Sequence, residues 1–262
     1  MTFDLALITG ASSGLGKELA RLLARKNIPL ILSGRNHDEL QKLQKELSAL
    51  SDITFFAADI SDRNEREHLQ QLIIEKKPNL VINCAGLGLY GEVISHSIQE
   101  QMEIIDVNIS ALTALTLQAA QVLHKEKKEG VIMNISSAAA FFTYPSFAIY
   151  SASKAFVNHF SSSLDIELQK YGIRVLTSCP GQIDTAFRKK ASHGMDKSTN
   201  DSRTIDATKA ATLIYQQIIN RKRICIIDFR YKILVFISKY IIPKTVVLKL
   251  LQRQIEKRIK RR

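Results

Sequence analysis

Residues 5–16 read LALITGASSGLG, and a helical run, KELARLLARK, follows from Lys17. LALIT is apolar on both faces, as a strand buried inside a parallel sheet must be. Gly10, Gly14 and Gly16 then form a G-x-x-x-G-x-G turn, where missing side chains let the backbone close around an anion. The helix that follows points its free N–H groups and the positive end of its dipole at the same place. A glycine-rich loop alone is a weak signal. Between a first strand and a first helix it stands where a dinucleotide site belongs. Thr9, Gly10, Ser12, Ser13, Gly14, Leu15 and Gly16 are therefore the candidate pyrophosphate-binding residues.

The same grammar repeats along the chain. PLILS at 29–33, ITFFA at 53–57, NLVIN at 79–83, GVIMNIS at 130–136 and IRVLTS at 173–178 are short apolar runs. Amphipathic stretches separate them: Leu40, Leu43, Leu47 and Leu50 recur at helical spacing, as do Leu69, Leu72 and Ile73. The run from Ile98 to His124 has neither Gly nor Pro. This alternation predicts an α/β fold, a doubly wound parallel sheet of Rossmann type with helices on both faces. After a helical pattern at 205–220, RICIID supplies a seventh strand. No internal repeat or Pro/Gly-rich linker divides the chain, so one catalytic domain is expected over residues 1–228. Within it 186–204, AFRKKASHGMDKSTNDSRT, is expected to be a mobile substrate lid.

Composition narrows the class. A domain of 262 residues can bury about three-quarters of the surface its unfolded chain exposes, so it needs no staples. Cys84, Cys179 and Cys225 are far apart, and MTFDLALITG lacks the plan of a targeting peptide; both point to reduced thiols and a cytoplasmic setting. The six histidines are scattered singly, so no metal site is expected. The net charge of +12 is local: residues 1–220 hold 23 basic and 23 acidic residues, while 221–262 hold 14 and 2, and 14 − 2 = 12.

Two further places carry chemistry. The second strand ends Ser33-Gly34-Arg35-Asn36, with no carboxylate to take a ribose 2′-OH. The Arg35 guanidinium suits a 2′-phosphate instead, which favours NADP(H); NAD(H) stays open if Arg35 only meets solvent. The stretch Tyr150-Ser151-Ala152-Ser153-Lys154 places a phenol and an ammonium one helical turn apart on one face. A free phenol titrates near 10, too high for reversible proton transfer at neutral pH, and a neighbouring cation lowers that value.

As a set, TGASSGLG, Asn83-Cys84-Ala85-Gly86, Asn108, Ser137, YSASK and Pro180-Gly181 resemble, in order and spacing, the short single-domain branch of the short-chain dehydrogenase/reductase family. The resemblance covers residues 4 to about 185. One departure is Cys84, where the family usually has a second Asn. The resemblance implies a catalytic group of Asn108, Ser137, Tyr150 and Lys154. Ser137 would hold the substrate oxygen, with Ser136 as the alternative, and Asn108 would support a water linked to Lys154. It further implies cofactor contacts from Asp59 and Ile60 at the adenine and from Asn83, Ala85 and Gly86 at the end of the fourth strand. Pro180, Gly181, Ile183 and Thr185 would lie at the nicotinamide carboxamide, and Tyr150 and Lys154 at its ribose.

The expected activity is hydride transfer between NADP(H) and a carbonyl or alcohol. Phe141, Phe142, Tyr144 and Phe147 before Tyr150 suggest a lipophilic ketone, aldehyde or secondary alcohol as the substrate, and a homo-oligomer is expected. The alternatives are a silent nucleotide-binding membrane adaptor and a 3-oxoacyl-carrier-protein reductase, although the tail departs from the latter. A sugar-nucleotide epimerase would need a substrate domain for which there is no room. Residues 229–262 form the basic amphipathic extension: after Pro243, Val247, Leu250, Leu251 and Ile255 line one face among Lys and Arg. This suits an anionic membrane surface. A cap over the cleft or a subunit contact is also open, and nucleic acid is not expected, for want of interleaved aromatics.

Overall fold

The computed structural model describes residues 2–192 and 204–241, with 245, 246, 248 and 249. Most of the predicted lid and the predicted helix beyond Pro243 lie outside the described residues. Seven strands, β1 (Ala6–Thr9), β2 (Leu30–Gly34), β3 (Ile53–Ala57), β4 (Leu80–Asn83), β5 (Gly130–Ile135), β6 (Ile173–Cys179) and β7 (Ile224–Ile226), form one sheet in the order β3-β2-β1-β4-β5-β6-β7. Every neighbouring pair is parallel. The order reverses between β1 and β4, and a crevice opens at the carboxyl ends of strands at such a point.

Alternation along the strands makes two cores. Ala6, Ile8, Leu30, Leu32, Leu80, Ile82 and Met133 face one layer, while Leu7, Ile31, Val81, Ile132 and Val175 face the other. The first layer is roofed by α1 (Gly14–Ala24), α2 (His37–Leu47) and, later in the chain, α8 (Ala207–Ile219). The second is roofed by α3 (Arg63–Lys76) and α5 (Leu112–Lys125), which pack on one another. Over the described residues up to 241 the other α-helices are α4 (Ile98–Ile105), α6 (Ala148–Leu168), α7 (Phe187–Ala191) and α9 (Phe229–Tyr240).

Local chemistry starts several helices. The Asn36 and Asp62 side chains accept from the N–H groups of Glu39 and Glu65, and Ser97 forms a capping box with Glu100. Two predicted details differ. α2 stops at Leu47, so Leu50 leaves the apolar face and lies exposed. The run from Ile98 to His124 is helical but carries a π turn over Asp106–Ala111, between α4 and α5.

Candidate active site

The site gathers where β1, β4, β5 and β6 end. Gly10 has φ +70°, and a Cβ there would stand 2.8 Å from Ala85 Cα; one on Gly16 would overlap the Gly10 carbonyl. The turn is therefore drawn tightly against the β4 exit, and Thr9 fastens it by accepting from the N–H groups of Cys84 and Ala85, each at 3.1 Å. Ser13 stands at the N-cap position of α1 with no side-chain capping bond, Leu15 is buried beneath, and Gly14 lies beside the Thr185 side chain. Ser12 faces Gly34, so the glycine turn and the end of β2 adjoin. This cradle, bare of side chains at a helix N-terminus, fits a dinucleotide pyrophosphate.

At the adenosine end, Arg35 is half exposed and pairs with Glu103 at 3.3 Å and Asp59 at 3.7 Å. Asp59 Oδ1 also accepts from the Ser61 N–H and hydroxyl. Burial works to raise the Asp59 carboxyl, but the Ser61 hydrogen bonds and Arg35 outweigh it and hold the value below the usual range. The Ile60 side chain packs in the core, and its carbonyl accepts from Arg66. Asn83 turns its amide to Thr116 and Asn134, at 3.0 and 2.8 Å, so it can face the crevice only through its backbone.

The four predicted catalytic residues converge. Asn108, wholly buried in the π turn, exchanges hydrogen bonds with the Leu87 backbone, both at 2.9 Å, and donates to Ser153 at 3.0 Å. It thus joins the loop after β4 to α6, the helix that carries Tyr150 and Lys154. A Cβ on Gly86 would lie 3.4 Å from both Asn108 Oδ1 and Lys154 Nζ, which puts the absent side chain between them. Lys154 Nζ donates to the Ile135 carbonyl at 3.0 Å. Ser136 donates to the Lys154 carbonyl at 2.9 Å, which ties it to the helix, whereas the Ser137 hydroxyl, which accepts from the Ala139 N–H at 3.1 Å, lies beside the Tyr150 phenol.

Electrostatics correct one expectation. Burial pushes the Tyr150 phenol up to about 12, against the lowering effect of the neighbouring Ser137 hydroxyl. Burial also brings Lys154 down to about 8. The ammonium lies 5.7 Å from the Tyr150 ring centroid and donates elsewhere, so in the bare protein desolvation outweighs the expected lowering of the phenol. Cys84 and Cys179 flank Lys154, and burial lifts both thiols to about 12, which leaves no thiolate nucleophile there at neutral pH.

Several contributors escape local sequence signals. Phe147 stacks on Tyr150 at 4.2 Å between centroids, and Phe187 of α7 stands 5.8 Å from it, tilted by 49°. Tyr90 and Tyr144 pack on Phe147. The Pro180 carbonyl accepts from the Ala138 N–H at 2.8 Å, and Ile183 bridges to Ile205. Gly181 lies under the Tyr231 ring of α9. Phe147 had a sequence signal as part of an aromatic loop, and Phe187 falls in the stretch expected to be the substrate lid; Glu103 and Tyr231 had none, since only the folded chain brings them near.

Fold and site together define a dinucleotide-dependent oxidoreductase of Rossmann type. The family model described as short chain dehydrogenase matches residues 4–196, and the chain belongs to that family. An uncharacterized oxidoreductase of Staphylococcus aureus (strain N315) is 35% identical over 189 residues, 71% of this chain and 81% of the relative. A short-chain dehydrogenase from Sphingobium yanoikuyae, solved with NADPH, superposes with a TM-score of 0.82 at 26% identity, covering 88% of this chain and 91% of its own. The bulky-bulky ketone specific alcohol dehydrogenase from Comamonas testosteroni superposes with a TM-score of 0.78 at 25% identity, covering 89% and 91%.

Proposed function

We propose that the protein interconverts a lipophilic ketone or aldehyde and its alcohol, with NADP(H) as the preferred coenzyme and Tyr150 as the general acid and base. The observation that carries this reading is the buried Tyr150 phenol, set beside the Ser137 hydroxyl and Lys154 and walled by aromatic rings. When bound, the nicotinamide supplies or takes up the hydride. The chain's residues do the rest. Ser137, whose oxygen accepts from the Ala139 N–H at 3.1 Å, holds the substrate oxygen near the phenol. Tyr150 donates its proton to that oxygen in reduction and recovers it in oxidation. A protonated Lys154 favours the phenolate left behind. Phe147 and Phe187 exclude water and admit apolar groups, in keeping with the ketone preference named for the Comamonas relative.

Arg35 is the group suited to the 2′-phosphate, reached by exchanging its ion pairs with Asp59 and Glu103. The NADPH bound by the Sphingobium relative supports the same choice. Asn108 serves as a positioning residue that fixes the Leu87 loop against α6. The test is to follow reduced-nicotinamide absorbance for the purified full chain with NADPH or NADH and a panel of aromatic and aliphatic ketones. Turnover is expected with NADPH at the lower KM. NADPH binding without turnover of any carbonyl or alcohol would overturn the reading.

A further inference from the structure

After β7 the chain enters α9, whose start is capped by Asp228 accepting from the Arg230 N–H at 3.0 Å. A helix on the outside of a domain ordinarily turns one apolar face inward and a polar face to water. α9 has two apolar faces. Tyr231 and Val235, four residues apart, face the body: Val235 is buried and Tyr231 abuts Gly181. On the far side Phe229, Ile233, Phe236 and Tyr240 recur at i, i+4, i+7 and i+11, which aligns them in one stripe. They are 72, 43, 57 and 68% exposed. The Phe236 and Tyr240 rings lie 5.3 Å apart, and exposed Leu234 and Ile241 widen the patch. A contiguous apolar surface of this kind marks a place of contact.

We propose that α9 docks the enzyme in the plane of an anionic lipid surface, with the Phe229–Tyr240 stripe entering the boundary between headgroups and acyl chains. Charge selects this occupant. Residues 229–262 contain 11 Lys and Arg and a single acid, Glu256. A second copy of the chain would bring the same positive excess against itself. An anionic bilayer offers both the opposite charge and an apolar layer of matching depth. Among the described residues no helix is long and apolar enough to cross a membrane, so the stripe lies along the surface. Because α9 rests on Gly181 and on the turn Ala138–Phe141 that follows Ser137, the docked face adjoins the cleft. The docking itself does not depend on the redox assignment.

The chain contains no tryptophan, so Phe236→Trp places a single emitter on the stripe. Vesicles of phosphatidylglycerol and phosphatidylcholine are expected to shift its emission to the blue and to carry the full chain upward in a flotation gradient. Added salt weakens both effects. Changing Phe229 and Ile233 to Ser in that background lowers vesicle partitioning by about a hundred-fold, while the circular dichroism stays unchanged. Four results would each overturn the proposal. One is no shift and no flotation with anionic vesicles. Another is equal binding to phosphatidylcholine alone. A third is lipid-free emission already blue that turns red when residues 242–262 are removed, which would make the tail the occupant. The last is a blue shift that grows with protein concentration alongside a doubled mass, which would make it a second copy.

Discussion

Ser137 and Tyr150, thirteen residues apart in the chain, bring their hydroxyls side by side. One stands just past the end of β5 and the other in the first turn of α6, so the pair sets the sheet's edge against the helix that also carries Lys154. In Tyr150→Phe the ring keeps its stack on Phe147 and loses only the hydroxyl. Carbonyl reduction should fall by about a thousand-fold, and NADPH affinity by far less. Ser137→Ala should cost less, about a hundred-fold, because the phenol stays in place. Single-turnover kinetics beside a coenzyme titration checks both, and a Phe variant as fast as the parent would remove Tyr150 from the chemistry.

Lys154 carries a penalty that its removal should reveal. Burial lowers its value from 10.5 to about 8, so the folded state disfavours the ammonium at neutral pH. Between about 8 and 10.5 the unfolded chain binds more protons at this position, and wild-type stability rises with pH there. Lys154→Met should therefore unfold later than the wild type at pH 7. The gain is up to about 3 kcal/mol, less the lost hydrogen bond to Ile135. That advantage should vanish by about pH 10.5, and activity should be lost at every pH. Urea unfolding midpoints across the pH range test this; a destabilised variant at pH 7 would refute it.

The parts legible in the sequence were those whose signal is local. Six strands could be placed within a residue or so because each is a short apolar run closed by a turn. The glycine spacing announced the anion cradle because Gly10 and Gly16 leave no room for a Cβ. Tertiary contacts gave no such signal. Nothing near Arg35 foretells Glu103, and Asn108 gave no hint of a π turn whose carbonyl and amide would bind Leu87. The sign of the Tyr150 shift was misread because a cation one turn away is visible in the sequence and burial is not. The outer stripe of α9 was hidden in an apolar run, since only packing tells which face Val235 turns inward.

Coenzyme choice should rest on Arg35. Its ion pairs with Glu103 and Asp59 involve exposed groups and are individually weak, so they yield to a phosphate. Arg35→Ala should weaken NADPH binding by about thirty-fold and leave NADH within about two-fold. Titration of both coenzymes on the parent and the variant decides it. An unchanged ratio of affinities would mean that Arg35 serves only its acidic neighbours.

Asp165 of α6 is wholly buried and holds the far end of the sheet together. It accepts from Arg174 of β6 at 2.7 and 2.9 Å, from the Val175 N–H at 3.0 Å, and from Arg223, just before β7, at 2.7 Å. Burial alone would raise its carboxyl, but the hydrogen bonds to the two guanidinium groups and to Val175 carry it below 3.8. A lowered carboxyl contributes stability that is present above its unfolded value and lost as pH falls through the folded one. Asp165→Asn leaves both guanidinium groups without their anion. It should cost about 3 kcal/mol at pH 7, near the lower limit for a broken buried pair because Arg223 remains 40% exposed. The difference from the wild type should hold between pH 5 and 8 and shrink below about 3.8. Urea midpoints at constant slope would measure it. Because Arg223 anchors the strand that leads into α9, Phe236→Trp emission should report local loosening in Asp165→Asn before global unfolding, and a single coincident transition would show that the edge strand and the core unfold as one.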